Sequence, residues 1–241
     1  MIKLILHGLL LACLPFIVIS QEINPKMVAV HGGTFEMGSN DGADNEKPVH
    51  SVKLSDFSIG KYEVTQEEWK TVMGNNPSIH KNCDDCPVDN VSFDDVKIFL
   101  EKLNKITGKK FRLPTEAEWA YAARGGEKSK KYKYSGSDDI NKVGWVISNS
   151  GGETKPVGSK KPNELGLHDM SGNVWEWVND LYSADYYLNS PSENPTGATR
   201  GNTRIVRGGS AFYTPLHSRP STRMIISPKN PHHNYGFRLA L

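Results

Sequence analysis

The chain has 241 residues, 37% hydrophobic and 23% charged, enough for one domain with a sizeable core. Its 29 Lys and Arg against 27 Asp and Glu leave a formal net charge of +2, so neither a basic field suited to nucleic acid nor an acidic bias is present. No glycine-rich phosphate loop follows a strand-like segment, which removes support for nucleotide binding.

Residues 1–20 carry Lys3, then an apolar run, then Val18, Ile19 and Ser20 before Gln21. That pattern predicts a secretory signal peptide cut after Ser20, leaving a domain over 21–241 and an exported, periplasmic or extracellular, location. A membrane anchor is the competing reading, although Pro15 and His7 interrupt a run that barely reaches spanning length. Leu10-Leu11-Ala12-Cys13 also resembles a bacterial lipobox, which would make the chain a lipoprotein through Cys13.

Short alternating segments predict strands over 27–30, 34–37, 52–54 and 57–62, separated by glycine and asparagine turns. Three helices follow, each announced by a hydroxyl residue three positions before a carboxylate: Thr65 with Glu68, Ser92 with Asp95, Thr115 with Glu118. The second, over 94–107, sets Val96, Phe99, Leu100, Leu103 and Ile106 on one core-facing side. In the third, Trp119 reads as core and Glu116 and Glu118 as first-turn partners of the helix dipole. Between the first two helices, Cys83 and Cys86 predict a local disulfide in an oxidising compartment. A redox or metal pair is the rival, with His80 as a third ligand; the aspartates between the thiols disfavour it. Residues 127–142 are lysine-rich and read as a solvated excursion containing Tyr132 and Tyr134.

The run Gly166 to Asp180 fits neither helical nor strand periodicity and reads as an ordered loop. Asp169 and Glu176 offer carboxylates, Asn173 an amide oxygen, and Gly172 a flexible backbone, a set suited either to a hard cation or to a tryptophan-anchored turn.

The sequence Gly166-Leu167-His168-Asp169-Met170-Ser171-Gly172-Asn173-Val174-Trp175-Glu176-Trp177 resembles the formylglycine-generating enzyme, or sulfatase-modifying factor, family. So do Gly32-Gly33-Thr34-Phe35-Glu36-Met37-Gly38-Ser39, Arg112 to Trp119, Arg207-Gly208-Gly209-Ser210 and Asn234 to Arg238, in the family's order. The resemblance implies an α+β domain, single, irregular and mixed, with little regular secondary structure and a C-type-lectin-like fold. It implies calcium at Asp169, Gly172, Val174 and Glu176, the glycine and valine through their carbonyls. A second family calcium site falls near the loop 148–153, where Asn149 is the candidate and a glycine turn the alternative.

Competent relatives place two copper(I)-binding cysteines after the Gly-Gly-Ser block. Here those positions are Tyr213 and Ser218. Both offer hard oxygen, and tyrosine ionises only near pH 10, so a soft two-coordinate copper site loses its ligands. Ser210 does not sit in the G-x-S-x-G of a hydrolase elbow either. What remains is a surface of Phe212, Tyr213, His217, Arg219 and Arg223, suited to a protein, peptide or glycan. The leading expectation is an exported, calcium-stabilised binding or scaffold module. The alternatives are a copper-dependent formylglycine-generating oxidase and a lectin-like receptor with a diversified C-terminal segment.

Overall fold

A computed structural model describes residues 23–241; the expected signal peptide over 1–20 and Cys13 lie outside the described residues. Four strands come first: β1 (Met27–Val30), β2 (Gly33–Met37), β3 (His50–Leu54) and β4 (Phe57–Gly60). β1 pairs antiparallel with β4 and β2 with β3, so the predicted strands form two separate two-stranded sheets.

Helices α1 (Gln66–Met73), α2 (Phe93–Thr107) and α3 (Glu116–Ala123) start where the sequence placed them. Each carries the reciprocal cap: Thr65, Ser92 and Thr115 accept from the third backbone N–H, and Glu68, Asp95 and Glu118 return to the cap N–H. α1 and α2 end on Gly74 and Gly108 in left-handed conformation, which satisfies the last carbonyls. Val96, Phe99 and Leu103 of α2 are buried, whereas Ile106 is 58% exposed and does not belong to the core face. Short helices α4 (Ile140–Val143) and α5 (Ile147–Ser150) follow.

Part of the expected loop is a strand. β5 (Trp175–Leu181) lies inside a four-stranded sheet with β6 (Arg204–Arg207), β7 (Met224–Ile226) and β8 (Tyr235–Gly236), in the order β7-β6-β5-β8, with α6 (Tyr186–Asn189) between β5 and β6. Trp175, Glu176, Trp177 and Val178 are all buried, so the polar alternation that betrays a half-exposed strand never appears.

Successive side chains of β5 point to opposite faces and divide the core. Trp175 and Trp177 join Trp69, Phe99, Phe237 and Val206 on one side, while Val178 joins Trp119, Met170 and Ile205 on the other. The C-terminal segment stitches the sheets together: Gly60 donates to the Leu239 carbonyl at 2.7 Å, Val64 to Phe237 at 2.9 Å and Arg112 to Ala240 at 2.9 Å.

Candidate functional site

The loop leading into β5 needs four left-handed residues, Gly166 (φ 83°), Asp169 (φ 58°), Gly172 (φ 96°) and Asn173 (φ 62°). At Gly172 a Cβ would strike the Trp145 carbonyl, so the close approach itself demands glycine. The turn brings Asp169, 2% exposed, and Glu176, 0% exposed, into one buried cluster with Glu63 and Arg238.

Glu176 accepts Arg238 Nε and Nη2, both at 2.6 Å, and Trp119 Nε1 at 2.7 Å. Arg238 also donates to the carbonyls of Gly60 and His168, each at 3.0 Å. Glu63 accepts from Asn173 Nδ2 at 2.6 Å and Val174 N–H at 3.1 Å. Asp169 Oδ2 accepts from Gly158 N–H at 2.7 Å, and its buried Oδ1 has no partner.

Burial and the charges of Asp169 and Glu176 push the Glu63 carboxyl well above its ordinary range. Burial raises Asp169 to about 6. Burial opposes charge on Arg238, but Glu176, Glu63 and Asp169 together hold its proton more firmly than usual. Three carboxylates thus face one guanidinium, and one carboxylate oxygen is orphaned in the interior. The Glu176 oxygens are taken by Arg238 and Trp119 and those of Glu63 by Asn173 and Val174, so the orphaned Asp169 oxygen is the side-chain donor of this cluster left free for a hard cation. Among the described residues no three His, Cys, Asp or Glu side chains form a metal cluster, so a cation here depends on backbone carbonyls as well.

Asn149 stands apart from this cluster. Its Oδ1 accepts from Val146 N–H at 2.8 Å, and its Nδ2 donates to Asn141 Oδ1 at 3.0 Å and the Gly144 carbonyl at 3.1 Å. The amide oxygen expected at a second calcium serves as a local helix cap.

After β6, Gly208 and Gly209 turn the chain with φ of 98° and 77°. Ser218 is fully buried beneath Gly209, whose missing Cβ leaves room for the Ser218 hydroxyl. Tyr213 is half-buried; its ring meets Trp175 edge-on at 5.7 Å and His217 at 5.1 Å. Phe212 lies 4.6 Å from the His233 ring and 5.8 Å from His80. Cys83 and Cys86 are joined in a disulfide, so neither supplies a thiolate.

The arginines expected on this surface face inward. Arg223, its side chain 2% exposed, grips Glu116 through Nε at 2.6 Å and Nη2 at 2.9 Å, with Arg207 at 3.3 Å on the same carboxylate. Arg219 pairs with Glu46 at 2.7 Å. Burial would raise Glu46, but the Arg219 guanidinium and hydrogen bonds from Ser221 and Ala43 hold it below its usual range. Glu116 is therefore the anchor of a buried ion network rather than a simple dipole partner. Asp180, beside it and accepting Glu116 N–H at 2.8 Å, is pushed by burial and by the Glu116 charge up to about 8.

These packed arginines form one wall of a groove of about 510 Å³ that Leu216, His217, Met224, Asn45 and Trp175 also line. Trp175 Nε1 and Asn45 Oδ1 are both buried without a hydrogen-bond partner. Both atoms belong to residues that line the groove.

The profile of the sulfatase-modifying factor enzyme 1-like domain matches residues 18–241, nearly the whole chain. The chain belongs to this family. A formylglycine-generating enzyme of Streptomyces coelicolor is 29% identical over 88% of the chain and 88% of its own length. A protein named chaperone protein LppX, from Paenibacillus barcinonensis, is 36% identical over 67% of the chain and 73% of its own. In the kinase Pkn1 of Chlamydia trachomatis, 31% identical over 91% of the chain, the match spans only 39% of the relative. Among solved structures, Treponema denticola variable protein 1 superposes with a TM-score of 0.84 at 31% identity, covering 92% of this chain and 96% of that one. The mixed, single-domain architecture is that of the formylglycine-generating, C-type-lectin-like fold. Among the described residues no helix of this family member is long and apolar enough to cross a membrane.

Sequence reasoning pointed to Asp169, Glu176 and the altered positions 213 and 218 through the family blocks. It missed Glu63 and the partnership of Glu116 with Arg207 and Arg223. An isolated glutamate after Lys61-Tyr62 gives no periodic or spacing signal. The charge of Arg238, beside Tyr235 and Phe237 in the terminal block, is the signal in the sequence that a carboxylate partner is needed.

Proposed function

We propose that this family member is an exported binding module whose groove between Asn45, Trp175 and His217 takes a segment of a polypeptide partner, and that it does not perform copper-dependent oxidation. The observation that carries the reading is the pair Tyr213 and Ser218. One is an aromatic packed on Trp175, the other a buried hydroxyl, and the described cysteines are tied to each other elsewhere. Copper(I) therefore finds no pair of soft ligands at the family's thiol positions.

The unpartnered Trp175 Nε1 and Asn45 Oδ1 suit an amide group, which offers a carbonyl acceptor and an N–H donor together. A relative named as a chaperone supports a protein partner. Calcium belongs to the same proposal, held by Asp169 and Glu176 with the carbonyls of Gly172 and Val174. It would neutralise buried negative charge and fix the loop, supplying no chemistry to a substrate.

The test is incubation of the mature protein with copper and a cysteine-containing sulfatase peptide, followed by mass spectrometry. The peptide is expected to remain unconverted; formation of the aldehyde would overturn the reading. A diversified receptor is the second reading, favoured by the similarity to a protein named as variable. Sequencing the gene's surroundings for a near-copy of the segment encoding 205–241 checks it; absence of such a copy removes it.

A further inference from the structure

The lysine-rich excursion over 127–142 covers a cleft that neither the calcium loop nor the peptide groove explains. One half, about 500 Å³, is basic, lined by Arg124, Lys131, Lys133 and Arg219, with Asp41 the one acidic residue in its wall. The other half, about 510 Å³, is aromatic, lined by Phe35, Tyr121, Tyr132 and Tyr134. The halves meet at Arg124, Lys131 and Tyr132, which line both.

Arg124 differs from five other arginines of the domain. Arg112, Arg207, Arg219, Arg223 and Arg238 each pair with a glutamate. The ion pairs of the described residues leave Arg124, Lys131 and Lys133 without a carboxylate partner. Arg124 Nη2 donates to the Gly38 carbonyl at 2.8 Å, while its Nε is buried with no acceptor. Burial, reinforced by the nearby Arg207 and Arg219, lowers its pKa, and the opposing pull of Tyr187 and Glu46 does not make up the difference. Lys131 reaches the cleft from a left-handed backbone, φ 58°, a conformation that lysine adopts at some cost.

The aromatic half carries complementary chemistry. Glu36, Glu127 and Glu164 stand among its tyrosines, and Glu164 Oε2 is buried without a donor. A ligand that satisfies both halves presents an anionic group at Arg124, hydroxyl donors to the glutamates and a flat face to Tyr132. An acidic peptide or a nucleic acid strand would instead bring repeated negative charge against those three glutamates. We propose that this cleft binds an acidic saccharide, its anionic group held by Arg124, Lys131 and Lys133 and its ring laid against the tyrosine-lined half.

Calorimetric titration of the mature protein tests this, using three disaccharide probes that are sulfated, phosphorylated or carboxylated, together with the uncharged disaccharide, sodium sulfate and tetraglutamate. At least one acidic disaccharide is expected to bind, and the uncharged one at least about tenfold more weakly, the loss of one charge-assisted contact. Tyr132→Ala and the double variant Lys131→Ala/Lys133→Ala change exposed side chains, so each should keep the wild-type Tm while weakening the same probe about tenfold. Arg124→Gln should abolish binding, with circular dichroism reporting whether it folds. The proposal is overturned if no acidic disaccharide binds, if the uncharged one binds equally, or if the exposed variants bind like wild type. It is equally overturned if sodium sulfate or tetraglutamate matches the disaccharide, because the ring then contributes nothing.

Discussion

Two buried ion networks touch the same face of β5 and solve the same problem differently. Around Glu176, three carboxylates share the single guanidinium of Arg238, and the orphaned Asp169 Oδ1 shows the excess. Around Glu116, the carboxyls of Glu116 and Asp180 face Arg207 and Arg223, two against two. The first network is negative unless a proton or a cation joins it; the second has a guanidinium for each carboxyl group, so it carries no net negative charge whether Asp180 holds its proton or not. A buried charge cluster in this fold is thus either a place for a cation or a strut, and counting its partners tells which.

Removing the lone cation should do the most damage. Arg238→Met leaves Glu176 buried without its pair and is expected to cost about 3–5 kcal/mol in urea denaturation, enough to threaten folding. Arg223→Met should cost less, because Arg207 remains 3.3 Å from Glu116. The opposite order would break the comparison.

Calcium should act on the first network alone. At a concentration one hundred times its Kd, stabilisation of about 2.7 kcal/mol is expected, read as a rise in Tm that a chelator reverses. Asp169→Asn should remove most of that rise, and Asp180→Asn should leave it intact. An unchanged Tm with calcium would show that protonation of Glu63 suffices.

The second network should reveal itself through pH. Asp180 keeps its proton in the folded state up to about 8 but loses it near 3.8 when unfolded. Its contribution is therefore fully present below about pH 4 and is lost as pH rises toward 8, at up to about 1.4 kcal/mol per pH unit per proton. Asp180→Asn should flatten the profile between pH 5 and 8 in chemical denaturation; an unaltered slope would assign the dependence elsewhere.

Smallest are the helix caps. Thr65→Ala, Ser92→Ala and Thr115→Ala should each cost about 1 kcal/mol, additive for α1 and α2. Thr115→Ala should exceed the others, because Glu118 of that cap also holds Arg112 at 2.6 Å.

These caps were legible in the sequence because they are local: a hydroxyl and a carboxylate three residues apart state where a helix begins. The first four strands were legible through alternation between glycine-rich turns. β5 was not, since a strand buried on both faces shows no period, and tryptophans next to Glu176 and Asp180 read as a loop. Glu176 was read as a metal ligand from its block, but its bond to Arg238, 62 residues away, is a product of the parallel pairing of β5 with β8. The inward turn of Arg219 and Arg223 was invisible for the same reason: their partners Glu46 and Glu116 lie more than 100 residues upstream. Tyr213 and Ser218 were legible by counting from Gly208-Gly209, with no knowledge of their surroundings.

The central claim is that hard oxygen has replaced soft sulfur at those two positions, and anaerobic titration of the disulfide-bonded protein with copper(I) tests it most directly. The account predicts no stoichiometric binding against a competing chelator. One tightly held equivalent of copper, lost on replacing Tyr213 or Ser218 by alanine, would contradict it.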